Sequence, residues 1–145
     1  MIRTFIAGLV ILVIALALQF WFAASGIFLD LSFATLISFA FIFEFWELLF
    51  LTLFVVFAVN WQPAVSVDLI VFASFPIAVY LIRKLLKWES WFAAPMAIII
   101  GFCVLSFVAA PGMFFAQLPH FLLDLAAGLG FGALVFYPLR HWGRP

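Results

Sequence analysis

The sequence predicts an all-α protein, a single bundle of about six helices crossing a lipid bilayer. Three observations predict it. Seventy per cent of the 145 residues are hydrophobic, against about half in an ordinary soluble domain. Only six basic and six acidic residues are present, so the formal net charge is zero. The mean hydropathy is +1.41. A soluble fold must cover its surface with polar groups, and a nucleic-acid-binding face needs a basic patch. This composition supplies neither, so the expected surroundings are lipid and not nucleic acid.

One crossing of a roughly 30 Å hydrocarbon core takes about 20 helical residues. A chain of 145 residues therefore allows five or six crossings with their connections and forms one membrane domain, 1–145. The lone Cys103 has no partner for an intramolecular disulfide. The first apolar stretch lacks the short signal-peptide pattern and is expected to be a retained helix.

The predicted spans are 5–22, 28–43, 48–60, 69–82, 92–109 and 121–137. Ser25-Gly26 ends the first, Gln62-Pro63 the third, and Pro111-Gly112 with Pro119 the fifth, all strong helix breakers. The run Arg83-Lys84-Leu85-Leu86-Lys87 separates the fourth from the fifth. Between the second and third only Glu44-Phe45-Trp46-Glu47 intervenes. Read as one helix, Leu31 to Val59 would be about 43 Å long. It would also hold two carboxylates in mid-bilayer, which is costly. Six crossings are therefore expected over five.

Charge and tryptophan give the orientation. With six crossings and both termini cytoplasmic, Arg3, Arg83, Lys84, Lys87, Arg140 and Arg144 all fall on the cytoplasmic side, as the positive-inside rule asks. Trp21 and Trp61 then mark the outer interface, and Trp46, Trp88, Trp91 and Trp142 the inner one.

Three short patterns repeat an apolar residue, Asp and Leu: Leu29-Asp30-Leu31, Val67-Asp68-Leu69 and Leu123-Asp124-Leu125. Each places an Asp near the outer start of an inward-running helix. Two roles are open to these carboxylates. They can satisfy the helix N-terminus through its free N–H groups and macrodipole. They can also converge on an outward pocket or a partner, because acids within spans are functional candidates. Glu44 and Glu47, three residues apart, read as a solvated cytoplasmic turn with Glu47 capping the third helix, or as a contact for a basic partner segment.

Small residues mark close helix approach. Gly128 and Gly132 form a G-x-x-x-G strip, widened by Gly130, and Ala93, Ala97 and Gly101 recur at intervals of four. Internal packing of the fifth and sixth helices is expected, with homodimerisation as the alternative. The 22 Phe residues are a packing or lipid-contact signal.

Catalysis is not expected. His120 and Asp124 are four residues apart, but a metal site needs three or four ligands. Cys103 has no His at its depth to activate it. No H-E-x-x-H or phosphate-binding loop is present. Gln19, Thr35, Ser38, Ser74 and Ser106 are scattered mid-depth polar residues, most of them expected to bond within their own helices. The chain is therefore expected to be no enzyme and to hold no cofactor or metal.

The chain resembles the rod shape-determining protein MreD family of bacterial inner-membrane proteins. The residues that carry the resemblance are Leu18-Gln19-Phe20 at the end of the first span and Gly26-Ile27-Phe28-Leu29-Asp30-Leu31 opening the second. His120-Phe121-Leu122-Leu123-Asp124 with the run from Gly128 to Phe136, closed by Arg140 and Arg144, completes it. The resemblance implies a non-enzymatic scaffold of the cell-elongation machinery in the bacterial inner membrane. It implies binding to a single-span, MreC-like protein and a link to peptidoglycan synthesis. Asp30, Asp68, Asp124, Glu44 and Glu47 are then candidate contacts. The competing expectation is a small-molecule-binding component, similar to the six-helix modules of energy-coupling-factor transporters, with an outward pocket at the three aspartates.

Overall fold

A computed structural model describes residues 2–60, 66–86, 90–109, 111–112 and 115–142. Six helices follow one another: α1 (Ile2–Ala24), α2 (Leu31–Phe39), α3 (Phe45–Val59), α4 (Val67–Leu86), α5 (Ser90–Ala109) and α6 (Leu118–Trp142). Among the described residues three helical segments are long and apolar enough to cross a membrane: Ile2–Ala24, Trp91–Ala109 and Leu118–His141. The chain is an all-helical membrane bundle.

Large apolar side chains cover much of its surface, and four hydroxyl side chains of α2 and α3 lie inside. Phe57 is 77% exposed and Leu134 73%, whereas Ser32, Thr35, Ser38 and Thr52 are buried. Lipid tolerates the first arrangement; water does not. Three of these hydroxyls bond the carbonyl one turn back in their own helix, as expected for Thr35 and Ser38, and Ser38 Oγ also reaches the Gly132 carbonyl of α6 at 3.4 Å. Thr35 Oγ1 donates to the Leu31 carbonyl at 2.7 Å, Ser38 Oγ to Ala34 at 3.0 Å and Thr52 Oγ1 to Leu48 at 2.8 Å.

The centre of the bundle is α2, all nine of whose residues are buried. The other five helices surround it. Its Phe33 ring packs on Phe72 and Phe75 of α4 and on Phe102 of α5, with ring centroids 5.1–5.8 Å apart. At nine residues, α2 is about 14 Å long. The predicted stretch 28–43 is therefore helical over little more than half its length. Its lead-in, Ile27–Asp30, is not helical, and its end tightens where Phe41 N–H bonds Ser38 and Ile42 N–H bonds Phe39. Hydropathy alone does not separate a helix sheathed by protein from one sheathed by lipid.

That tight turn also breaks the alternative single helix from Leu31 to Val59. Glu44 is extended (φ −79°, ψ 165°), and its N–H donates to the Glu47 carboxylate at 3.3 Å. Glu47 thus holds the start of α3, as the capping reading expected.

The other helices are longer than predicted, α4 and α6 because their charged ends belong to them. Helix α4 includes Asp68, Arg83 and Lys84, and α6 includes Arg140 and His141. Successive helices alternate in direction. Gly8 near the start of α1 lies against the Phe43 ring after α2, and Phe45 at the start of α3 lies 5.9 Å from Tyr80 near the end of α4. Arg3, Glu44, Glu47, Arg83, Lys84 and Arg140 therefore gather at one end, and Asp30, Asp68 and Asp124 at the other. Trp21 is exposed at the aspartate end, and Trp46 and Trp91 at the basic end. Trp61, Gln62, Pro63, Lys87, Trp88 and Arg144 lie outside the described residues, as does the Trp142 side chain.

The small residues pack internally. A Cβ on Gly128 would meet the Phe102 ring at 2.7 Å, and one on Gly132 would meet Ile98 Cδ1 at 2.6 Å and Ser38 Oγ at 3.2 Å. On α5, Gly101 accommodates Ile37 and Phe75, Ala93 is buried and Ala97 half-buried. The expected α5–α6 packing is present, and α2 shares it. Gly128 and Gly132 are both filled from within the bundle. Gly130 faces outward with nothing within 4 Å of a Cβ.

Candidate functional site: a polar cluster and cleft at the aspartate end

Two of the three predicted aspartates come together. The backbone N–H of Asp30, at the start of α2, donates to Asp124 Oδ1 on α6 at 2.8 Å. Gln19 of α1 reaches the same place. Its Oε1 accepts from Ser32 N–H at 3.1 Å and from Ser32 Oγ at 2.7 Å, and its Nε2 donates to Asp30 Oδ1 at 3.5 Å. Three helices thus meet in one hydrogen-bonded cluster.

The local reason is the orphaned N–H groups of a helix start. Asp30 occupies the N-cap position of α2 but makes no side-chain cap. The Gln19 carbonyl caps α2 from another helix instead. Asp30 thus sits at its own helix N-terminus without a side-chain hydrogen bond to it, and the Asp124 carboxylate accepts from the backbone at the start of α2. Asp68 does lie in the first turn of α4. It is exposed and shares no hydrogen bond with the cluster. Glu44 and Glu47 are at the opposite end of the bundle and belong to no common site with the aspartates.

Beside the cluster a cleft of about 460 Å³ opens between the α1–α2 connection, the end of α5 and the start of α6. Its polar wall is Ser106, Gln117, His120 and Asp124, and its apolar wall includes Phe28 and Phe121. His120 is exposed and one helical turn before Asp124. Among the described residues no Lys or Arg lines the cleft.

Comparison with protein-family models, curated proteins and solved structures returns no match. The site therefore rests on its own geometry.

Gln19, Ser32, Gln117 and His120 are the site residues that sequence reasoning did not select. Gln19 carried a usable signal: it is the one polar residue between Phe5 and Ala24 in α1. Ser32 carried none, since Thr35 and Ser38 look identical in the sequence and bond carbonyls of their own helix. A second, wholly apolar groove of about 310 Å³ lies between α1 and α6, lined by residues such as Ala7, Ile11, Phe131 and Leu134.

Proposed function

We propose that the chain is a non-enzymatic scaffold of the bacterial inner membrane, similar to the MreD family, that receives a single-span partner at its aspartate end. In this reading the chain crosses the membrane six times, with α2 and its flanking turns as the second, protein-sheathed passage. The basic end faces the cytoplasm and the cleft faces out. One observation carries the reading: the deep hydroxyls of Thr35, Ser38 and Thr52 are spent on backbone carbonyls, while the polar cluster linking three helices borders an open cleft. Recognition at an end of the bundle fits this distribution better than conduction along its axis.

A photo-crosslinker at Leu123, on the cleft rim, should trap a single-span protein in cells. The same group at Phe57, on the exposed face of α3, should trap lipid alone. Equal protein adducts from both positions, or none from Leu123, would overturn the proposal.

The second reading, a small-molecule-binding component of a transporter, is favoured by the cleft volume, which falls in the range of about 300–1,000 Å³ usual for small-ligand sites. Co-purification with an ATPase pair, in place of a single-span protein, would select it.

A further inference from the structure

The geometry points to a binding site for a cationic, hydrogen-bond-donating group, an amine or guanidinium on a small apolar body, in the cleft between the α1–α2 connection and the starts and ends of α6 and α5. The proposal deepens the outer-end reading above by naming the chemistry recognised there.

The cleft wall offers acceptors on one side and rings on the other. The Asp124 carboxylate uses Oδ1 for the Asp30 N–H, which leaves Oδ2 to accept from a ligand. His120, Gln117 and Ser106 add donors and acceptors within the same wall. Phe28 and Phe121 supply apolar area, and ring faces attract cations as well as apolar bodies. An anion would find the Asp124 carboxylate oxygen and no described Lys or Arg in this wall, with His120 as its one imidazole. The described cations, Arg3, Arg83, Lys84 and Arg140, are at the other end. The Asp124 carboxylate has no described Lys or Arg beside it in the cleft to balance its charge. A ligand cation in the cleft would do so at Asp124.

Two sources carry such a group: a free organic amine, or a Lys or Arg side chain of a partner. The test uses the full-length chain in phosphatidylcholine nanodiscs and equilibrium dialysis. Benzylamine, benzyl alcohol and phenylacetate share one apolar body and differ in head-group charge. Saturable retention of benzylamine, at least about tenfold tighter than benzyl alcohol, with no retention of phenylacetate, is expected. Asp124→Asn keeps an oxygen for the Asp30 N–H and should weaken benzylamine at least about tenfold. Ala109→Trp alters an exposed cleft residue. It should block binding without touching the carboxylates, so one informative variant remains if Asp124→Asn fails to fold.

A short Arg-bearing peptide separates the sources. Tighter binding of the peptide assigns the site to a partner's side chain, tighter binding of benzylamine to a free solute, and either supports cation recognition. Equal retention of all three benzyl probes, or benzylamine binding unchanged by both variants, would overturn it. Nanodiscs expose both faces of the protein. The cation site can therefore stand where the outward orientation or the crosslinked partner fails.

Discussion

The backbone N–H of Asp30 and Oδ1 of Asp124 are joined by a 2.8 Å hydrogen bond across 94 residues of sequence. This bond ties the start of the central helix to the last helix. Removing the acceptor strands a partly buried donor, which costs about 1–3 kcal/mol. Asp124→Leu should lower stability by that amount in reversible unfolding from mixed micelles. Asp124→Asn should lose less than half as much, because its amide oxygen still accepts.

Gln19 should behave as the cap of a helix it does not belong to. Gln19→Leu removes the acceptor for both Ser32 N–H and Ser32 Oγ, and loss of a helix cap costs about 0.5–2 kcal/mol. Gln19→Glu keeps that acceptor and sets a third carboxylate beside Asp30. Like charges disfavour one another, so the deficit of this variant should shrink as pH falls, when protonation removes the repulsion. Unfolding curves between pH 5 and pH 8 would read it.

Three glycines of one helix should respond differently. Overpacking a filled site typically costs about 1–3 kcal/mol. Gly132→Leu and Gly128→Leu should each cost at least that, because a Cβ alone already approaches Ile98 Cδ1 at 2.6 Å or the Phe102 ring at 2.7 Å. Gly130→Leu, with open space around it, should leave stability within about 0.5 kcal/mol. Equal sensitivity of all three in the same unfolding assay would contradict the packing of α6.

At the opposite end of α2, Arg83 Nη1 donates to the Ala40 carbonyl at 2.7 Å. That carbonyl lies just past the last turn of α2, where acceptors lack helical partners. Arg83→Met should destabilise by about 1.5–3 kcal/mol, the range for a hydrogen bond to a charged group. Arg83→Lys should recover only part of it, since a single ammonium on a different stem replaces the planar fork. Thermal unfolding of the two variants side by side checks the order.

Much of the fold was legible because lipid makes the pattern simple. Long apolar runs, breakers at Ser25-Gly26 and Pro111-Gly112, and charges gathered at helix ends located the helices. The length of α2 was not legible, since a helix enclosed by five others is as apolar as one in lipid. The site was half legible. The shared apolar-Asp-Leu pattern flagged Asp30, Asp68 and Asp124 alike, but only tertiary contact brings two of them together and leaves Asp68 outside. Gln19 stood out as a lone amide in an apolar helix, yet its target on α2 depends on how α1 and α2 pack. His120 and Gln117 became relevant only through the cleft, which no local pattern encodes.

The central claim is that the aspartate cleft faces out and the basic end faces the cytoplasm. Labelling single cysteines with a membrane-impermeant maleimide in intact spheroplasts, on a Cys103→Ser background, tests it most directly. Ser25→Cys and Asp68→Cys should label from outside, whereas Glu44→Cys and Lys84→Cys should label only after lysis. Labelling of Glu44→Cys or Lys84→Cys in intact spheroplasts, with Ser25→Cys and Asp68→Cys protected, would contradict it.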